Sequence, residues 1–498
     1  MYDRKTWVVL FFCIALLGVN FHFSAKNREA LEKAAAKEAA EEEESVEYLK
    51  ETAKTTTGGL TVDTPPPPTE EETVKLGNDK ITFTFSNIGG GIKYAEFAKE
   101  FAVGSESKKV RSNRNGPGPI GALANSSQEV INTPYAYEKS KSVAGKTAVY
   151  YAVLDSGLVI KKTYSLESRD LPGAPYLVNC KLTIENRGSG SKNLGDLSLF
   201  LGAASPLYQN ESPNQTGFFW REDGDMHFKH GGKFKKKPVI LSPADQKVRF
   251  AGVANQYFTT VIQPISPAMT PVWGKASKFE LEEGEELRRA VRAGISLPSI
   301  QLQPGESKSL KYRIFVGPKQ NTMLRQMENH YGEGWGDVMQ YGMFWFISRP
   351  LNWLLNLYHD LIDSFAHAWA WGLAIIILTI TVRIFIWPLH AKSTRTMKRM
   401  SKLKPKMDEL REKYKDDPNK LNMETMGLYR KYGINPLGGC LPMLLQIPIF
   451  FGFFRMLQYA VELRGHGFLW VPDLSQPDTL TEIGLPFALP FLGDAIPV

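Results

Sequence analysis

Residues 371–389 read WGLAIIILTITVRIFIWPL, an apolar run that contains one charged residue, Arg383. A helix rises about 1.5 Å per residue, so residues 368–389 would extend about 33 Å and could cross a hydrocarbon core of about 30 Å. We therefore predict a membrane-spanning helix over residues 368–389. An arginine at this depth usually faces a bundle interior or a water-filled cavity. Two alternatives to a cavity stay open: the Arg383 side chain extends to the membrane interface, or it forms a structural ion pair.

Two further apolar segments lie near the two ends of the sequence. Residues 6–23 follow Arg4 and Lys5, and they predict an uncleaved signal anchor over residues 1–23 with a cytoplasmic N-terminus; a cleaved signal peptide would look similar. Residues 435–461 predict a third span, and its two prolines, Pro442 and Pro448, predict a kink.

A basic loop over residues 390–434 separates the second and third spans. Its 13 lysines and arginines outnumber six acids, which predicts a cytoplasmic location. Apolar residues recur there every three or four positions on both sides of the sequence DDPN, and this pattern predicts a helical hairpin. A solvated basic hairpin is the simpler interpretation, contact with anionic lipid or ribosomal RNA is the more specific one, and the two are not exclusive. Its candidate contact residues are Lys398, Arg399, Lys402, Lys404, Lys406 and Arg411.

A cytoplasmic loop between the second and third spans places the sandwich and the C-terminal residues outside the cytoplasm. Residues 80–320 alternate apolar and polar residues in short runs such as KITFTFSN, TAVYYAVL and LVIKKTYSL, the pattern of an antiparallel β-sandwich. Residues 24–79, which contain the run Pro65–Pro68, predict a linker. Residues 462–498 predict a loop on the same side as the sandwich.

An amphipathic helix is predicted just before the second span, over residues 345–367. Four tryptophans, Trp345, Trp353, Trp369 and Trp371, surround it like an aromatic belt, which favours the membrane interface over ordinary packing on the sandwich. The expected polar face of this helix holds Asn352, Asn356, His359, Asp360 and Asp363.

The composition allows both a large soluble domain and these few spans. The chain has 498 residues, of which 43% are hydrophobic and 22% charged, unlike a polytopic transporter. Its three cysteines, Cys13, Cys180 and Cys440, lack the spacing of a disulfide framework or a zinc site. No catalytic set of side chains stands out in residues 80–318, and we expect no enzyme chemistry, no metal and no cofactor.

Two polar residues could share a cavity with Arg383. Thr379 lies one helical turn away on the same face, and Gln446 lies on the third span. A wet cavity with a fixed positive charge would lower the desolvation cost of moving a hydrophilic segment into the bilayer. We therefore predict a substrate groove that contains Arg383, Thr379 and Gln446 and promotes insertion without breaking a covalent bond.

Several motifs resemble those of the YidC membrane insertases, bacterial relatives of the mitochondrial Oxa proteins. They are GWGDVMQYGMFWFISRPLNWLL at residues 334–355, the span at 371–389, LKPKMDELREKYKDD at 403–417 and YRKYGINPLGGCLPMLLQIPIFFGFFRML at 429–457. YRIFVGPK at residues 312–319 also resembles the family. The resemblance implies an α+β multi-domain membrane protein: an extracytoplasmic β-supersandwich, similar to sugar mutarotases, with an α-helical transmembrane bundle and a cytoplasmic hairpin.

This resemblance also implies a function and a location. The chain resembles the Gram-negative branch of the family, whose members insert inner-membrane proteins alone or beside the Sec translocon. The resemblance implies a multi-pass bundle in the inner membrane and a sandwich in the periplasm. The implied partners are nascent inner-membrane proteins, the Sec translocon, the ribosome and anionic lipids, but not DNA. That branch has five spans and this sequence offers three, so we expect the last two to be missing.

Two other functions remain open on the sequence. One is a membrane-tethered carbohydrate-binding or mutarotase-like sandwich, which would need converging His and carboxylate groups in residues 80–318. The other is a non-catalytic membrane assembly factor, in which Arg383 pairs with a partner helix.

Overall fold

A computed structural model describes most of the chain from residue 70 onward. The described residues are 70–101, 109–114, 116–154, 156–208, 211–222, 224–235, 239–279, 288–415, 417–433, 441–476, 482–489 and 493–497. The predicted signal anchor and most of the predicted linker lie outside them. Contacts divide the described residues into two compact units, one within residues 382–447 and one that combines residues 70–381 with residues 448–497.

Strands dominate the chain before residue 320. In chain order they are β1 Thr73–Gly77, β2 Ile81–Ser86, β3 Gly91–Phe101, β4 Lys109–Ser112, β5 Leu123–Ala124, β6 Ala136–Tyr137, β7 Thr147–Val153, β8 Leu158–Leu166, β9 Leu177–Asn186, β10 Lys192–Asn193, β11 Ser198–Ala204 and β12 Gly217–Arg221. They continue with β13 Met226–His230, β14 Val239–Leu241, β15 Lys247–Val248, β16 Phe250–Ala254, β17 Phe258–Pro264, β18 Ala268–Met269, β19 Val272–Phe279, β20 Arg288–Ser296, β21 Gln301–Leu302, β22 Ser307–Pro318, β23 Glu482–Leu489 and β24 Gly493–Pro497.

The sandwich is built on a nine-stranded antiparallel sheet in the order β13-β12-β16-β17-β22-β9-β8-β7-β6. A five-stranded sheet (β14-β19-β20-β11-β5) and a four-stranded sheet (β1-β2-β3-β4) accompany it. Aromatic rings join the layers. The ring centres of Phe97 in β3 and Phe258 in β17 are 4.5 Å apart, and those of Phe85 in β2 and Tyr164 in β8 are 5.0 Å apart. The structure therefore confirms the antiparallel sandwich that the alternating runs predict.

The other face of the nine-stranded sheet is covered by helix α1, Asn321–Tyr331, and by a 3₁₀ turn, Trp335–Met339. Leu177, Phe219, Phe250, Val261 and Phe315 of the sheet are buried against Leu324, Met327, Trp335, Val338 and Met339. Because strand residues alternate between faces, this apolar row and the core between the sheets come from alternate positions of the same strands.

Five more helices follow. They are α2 Trp345–Ala366, α3 Ala370–Lys402, α4 Lys404–Lys413, α5 Pro418–Lys431 and α6 Leu441–Tyr459. Among the described residues, one continuous segment, Gly342–Pro388, is long and apolar enough to cross a membrane. It contains α2 and the apolar part of α3, whereas α6, in the predicted third span, does not meet that test.

Several predicted boundaries differ from the structure. The sheet starts at Thr73, inside the predicted linker, because Val74 and Leu76 alternate with polar residues and Leu76 is fully buried. Helix α3 continues past residue 389 to Lys402, since no helix-breaking residue follows Pro388 before Pro405. Part of the predicted C-terminal loop forms a two-stranded pair, β23 with β24.

The predicted polar face of α2 is not uniformly exposed. Asn352 is completely buried, and its carbonyl and side-chain oxygens accept hydrogen bonds from Asn356 Nδ2 at 2.8 and 3.1 Å. Large apolar side chains occupy exposed positions instead, with Trp353 58% and Leu361 60% exposed. Apolar exposure beside a buried amide suits a helix that meets lipid on one side and protein on the other.

One carboxylate fastens α2 to the sandwich. Asp337 accepts hydrogen bonds from Arg221 Nη1 of β12 at 2.9 Å and from Arg349 Nη2 of α2 at 2.7 Å. Both arginine side chains are largely buried, at 9% and 15% exposure, whereas that of Asp337 is 38% exposed.

Replacing Asp337 with asparagine is expected to lower the free energy of unfolding by about 1–2 kcal/mol, because two largely buried guanidinium groups lose their carboxylate; solvent at Asp337 limits the effect. Denaturant unfolding of the full chain in detergent would measure the change. Asp360→Asn is the matched control, since the Asp360 side chain is 77% exposed and pairs with the neighbouring His359 at 3.1 Å. Equal changes in the two variants would contradict the fastening role.

Candidate functional site

Arg383 lies on the exposed surface of α3, in the middle of apolar neighbours. Ile384, Phe385 and Trp387 are 65%, 81% and 70% exposed. Within the part of the chain that the structure describes, the Arg383 guanidinium has no hydrogen bond and no carboxylate within ion-pair distance. An unpaired cation on an apolar helical surface is the feature that most needs a hydrated surrounding.

Of the other two predicted groove residues, Gln446 belongs to the same compact unit as Arg383 and Thr379 belongs to the other unit. Thr379, half-buried on α3, donates its hydroxyl to the backbone oxygen of Ile375 at 2.8 Å. This bond within the helix satisfies the hydroxyl without a partner helix. Gln446 lies on α6 with an exposed side chain. Among the described residues, no hydrogen bond joins Arg383 to Gln446.

The six basic residues proposed for the hairpin all reach solvent. Lys398, Arg399 and Lys402 belong to the last turns of α3, and Lys404, Lys406 and Arg411 belong to α4. Arg411 pairs with Asp408 at 3.4 Å, and Lys406 donates a hydrogen bond to the hydroxyl of Tyr432. Exposed ion pairs of this kind contribute little to stability, so the charges stay available to an anionic surface.

A small apolar cluster holds the two hairpin helices together. Leu403 and Tyr429 are buried against Met400 and Met407, and Tyr429 donates its hydroxyl to the Met407 sulfur at 3.3 Å. Local residues set the helix ends: Asp417 accepts a hydrogen bond from the backbone N–H of Lys420 and thereby caps α5. Pro405 lies in the first turn of α4. Backbone N–H groups have no partner within the helix there, so the missing N–H of proline costs nothing and Pro405 suits a helix start.

Sequence reasoning missed a buried lysine inside the sandwich. Lys162 of β8 is completely buried, and its Nζ donates to the backbone oxygens of Gly89 and Gly121, both at 2.8 Å. Its Nζ also lies 4.6 Å from the centre of the Tyr135 ring. Burial lowers the pKa of Lys162 to about 7. The alternation of β8 could have revealed it, because Lys162 shares a face with Ile160 and Tyr164.

Two more buried ionisable groups, Glu211 and Lys319, lie where α6 ends against the sandwich. Glu211 accepts hydrogen bonds from the backbone N–H groups of Leu207 and Gln256, at 2.7 and 3.1 Å, yet burial raises its pKa to about 7. Lys319 is fully buried beside it, with Nζ 4.5 Å from the centre of the Tyr459 ring, and burial lowers its pKa to about 7.

Further polar contacts complete the seam between the end of α6 and the sandwich. Gln256 Nε2 donates to the Gln458 backbone oxygen at 2.7 Å, and Arg464 Nη1 donates to Glu100 Oε2 at 2.8 Å. Tyr257 donates its hydroxyl to the Ser475 backbone oxygen at 3.1 Å. These long-range partners are separated by more than 200 residues in the chain, and no local pattern in the sequence predicts them.

Two family models match the chain. The model described as YidC periplasmic domain matches residues 73–354, and the one described as 60Kd inner membrane protein matches residues 361–496. The curated relatives are membrane protein insertases YidC. The relative from Syntrophobacter fumaroxidans is 35% identical over 322 residues, 64% of this chain and 54% of that protein. The relative from Geobacter sp. strain M21 is 28% identical over 419 residues, 81% of this chain and 72% of that protein.

The chain spans about half the length of the first of these relatives. Among solved structures, a YidC insertase whose first transmembrane domain is resolved, described as active, is 16% identical and covers 84% of this chain and 80% of that chain, with a TM-score of 0.26. A galactose mutarotase related enzyme from Lactobacillus acidophilus is 8% identical, over 49% of this chain and 97% of that one, with a TM-score of 0.33.

Proposed function

Because the chain belongs to the YidC family of inner-membrane proteins, we propose that it is a membrane protein insertase whose groove admits hydrophilic segments and releases apolar ones into lipid. Arg383, Thr379 and Gln446 line the groove in this proposal. The cation stabilises a carboxylate or a polar backbone group of the substrate part-way across the bilayer, and no covalent bond is made or broken.

The observation that carries this proposal is the state of Arg383. An arginine in hydrocarbon costs at least about 2.5 kcal/mol on insertion scales. A structural ion pair would offset that cost, but no carboxylate bonds this guanidinium among the described residues. Water in a groove open to the cytoplasm offsets it instead, and the same water serves an incoming polar segment.

In this proposal, the distribution of lysine and arginine decides on which side of the membrane each part of the chain lies. The hairpin of α4 and α5 lies in the cytoplasm, where its exposed lysines and arginines meet anionic lipid headgroups, the ribosome and emerging inner-membrane proteins. The sandwich lies in the periplasm and the chain crosses the inner membrane several times, beside the Sec translocon for some substrates. The strong basic bias of the loop supports this topology.

Thiol labelling at position 383 tests the groove. Arg383→Cys, in a chain whose three native cysteines are replaced, is expected to react with a membrane-impermeant maleimide added to the cytoplasmic side of inverted vesicles, because a thiol reacts as the thiolate in water. Ile384→Cys is the matched control. Residue 384 is the next one along α3 and is exposed on the apolar surface, so a thiol there should face lipid and stay unlabelled. Equal protection at both positions would rule out a wet groove.

A further inference from the structure

A cavity of about 380 Å³ opens beside the C-terminal end of α1. It lies in the sandwich and has no part in the proposed insertion groove. The residues that line it are Arg249, Gln263, Pro264, Ile265, Pro267, Arg313, His330, Tyr331, Gly332 and Glu333. Its volume falls within the range of small-molecule sites, roughly 300–1,000 Å³.

The floor of the cavity is a polar row on the nine-stranded sheet. Gln263 of β17 and Arg313 of β22 face each other directly in the register, and Asn179 of β9 is next in the same row. Two positions further along these strands, the residues on the same face are apolar, Val261 and Phe315. Helix α1 covers the sheet there. The cavity therefore begins where the helix ends and the sheet surface changes from apolar to polar.

Neighbouring side chains hold the guanidinium of Arg313 in place. Its Nη1 donates to Gln263 Oε1 at 2.7 Å, and its central carbon lies 3.9 Å from the centre of the Tyr331 ring. Gln263 Nε2 in turn donates to the Tyr331 backbone oxygen at 3.2 Å. Gln263 thus fixes both the arginine and the chain segment that stacks on it, which leaves a preorganised guanidinium at the cavity.

Among the described residues no carboxylate forms a hydrogen bond or an ion pair with the half-buried guanidinium of Arg313, although Glu167 acts on it through space and partly opposes the lowering of its pKa by burial. Within the described residues, its polar contact is with the neutral amide of Gln263. Glu167, on the same side of the sheet, is occupied by Arg169 through two hydrogen bonds of 2.8 and 2.9 Å and by Asn179 at 3.1 Å. Partly buried charges are normally paired, so the missing partner points to an anion that is not part of the fold.

The charges around the cavity identify the class of anion. Two arginines, Arg249 and Arg313, and the imidazole of His330 line it, against one carboxylate, Glu333, among the described lining residues. Planar guanidinium groups bind the oxygens of a phosphate two at a time. Pro264 and Ile265 supply an apolar wall for the group that carries the phosphate.

We propose that this cavity binds a phosphate monoester or diester, with Arg313 as the principal contact and Arg249 and His330 at its sides. The phosphate belongs either to a small soluble molecule or to a phospholipid headgroup. Both sources present the same oxyanion to the same arginine.

Binding is measured on the full chain in detergent micelles by ³¹P NMR line broadening and titration calorimetry. The soluble probes are inorganic phosphate and glycerol 3-phosphate at constant ionic strength. The membrane probe is the full chain in nanodiscs that contain phosphatidylglycerol or only phosphatidylcholine, with competition by glycerol 3-phosphate. Saturable binding of a soluble probe, or a headgroup signal that the soluble probe displaces, is the expected result.

Three variants separate the site from general charge effects. Arg313→Gln should weaken binding at least about tenfold, equivalent to about 1.4 kcal/mol, since the charged hydrogen-bond donors of the guanidinium are lost. Ile265→Glu places a competing carboxylate in the wall, at a side chain that is already 46% exposed, and should weaken binding several-fold without unfolding the sheet. Arg114→Gln removes one charge from an exposed position outside the cavity and should leave binding unchanged.

The outcomes divide clearly. Binding that falls in Arg313→Gln and Ile265→Glu but not in Arg114→Gln supports the site, and the probe that shows it identifies the source of the phosphate. Absence of binding by every probe overturns the proposal. Binding that Arg313→Gln and Ile265→Glu leave intact, or that Arg114→Gln weakens equally, also overturns it. Loss of insertion activity is not a readout, so failure here leaves the proposed function untouched.

Discussion

Replacing Arg383 with alanine is expected to slow the insertion of substrates with acidic translocated segments about thirtyfold. A fixed cation about 8 Å from a carboxylate, at an effective dielectric constant of about 20, stabilises it by about 2 kcal/mol. Removing that stabilisation from the rate-limiting transfer changes the rate by this factor. The measurement is protease protection of a substrate tail in vesicles that carry the variant.

The effect should follow charge and leave folding intact. Arg383→Lys keeps the cation and should retain most activity, whereas a substrate with an uncharged tail should depend little on residue 383. The free energy of unfolding should stay the same, because Arg383 is exposed and unpaired within the described residues. Arg395→Ala, an exposed arginine further along α3, is the matched control. A scaffold protein would instead lose assembly, and a sandwich enzyme would be unaffected.

Replacing Lys162 with methionine is expected to remove a pH dependence from the stability of the sandwich. The folded pKa of about 7 lies below the ordinary value of 10.5, so between these two values the unfolded chain binds a proton that the folded chain lacks. The free energy of unfolding therefore rises with pH in this window. The contribution is about 1.4 kcal/mol per pH unit well inside the window, and about 2 kcal/mol between pH 7 and pH 9.

Methionine has a similar shape but neither titrates nor donates. At pH 9 and above, its introduction leaves the carbonyl oxygens of Gly89 and Gly121 without the donor they have now, at about 1–3 kcal/mol each. The stability of the wild type relative to Lys162→Met should thus grow from pH 7 to pH 9. Denaturant unfolding at several pH values measures it.

Lys161→Met is the matched control for this prediction. Lys161 is the adjacent residue of β8, with a side chain that is 37% exposed and 3.7 Å from Glu138. It should leave the pH profile close to that of the wild type. If both variants have the same profile, or Lys162→Met retains the slope, then Lys162 is charged in the folded protein at all these pH values.

The sandwich and the hairpin could be predicted from the sequence because each depends on local periodicity. Alternation in β7, β8, β9 and β22 and the three-and-four spacing around Leu403 and Tyr429 are visible in short windows. Element boundaries depend less on local periodicity, because β1 is short and follows a proline-rich segment, and because α3 continues through polar residues that also favour helices.

Contacts between distant segments could not be predicted in this way. Nothing local distinguishes Asn352, which is buried, from the other polar residues of α2, since its burial depends on what packs against the helix. Arg313 and Gln263 are 50 residues apart, and only the strand order brings them together. For Arg383 the position in an apolar helix was evident from sequence, whereas its groove partners remain predictions.

The seam between the end of α6 and the sandwich couples this end of the helix to the strand domain. Gln256 binds the backbone of Gln458, Lys319 packs on Tyr459, and Arg464 pairs with Glu100, so this end of the helix cannot tilt alone. A tilt of this end of α6 away from the sandwich must break all three contacts, so the helix end and the sheet are expected to move together.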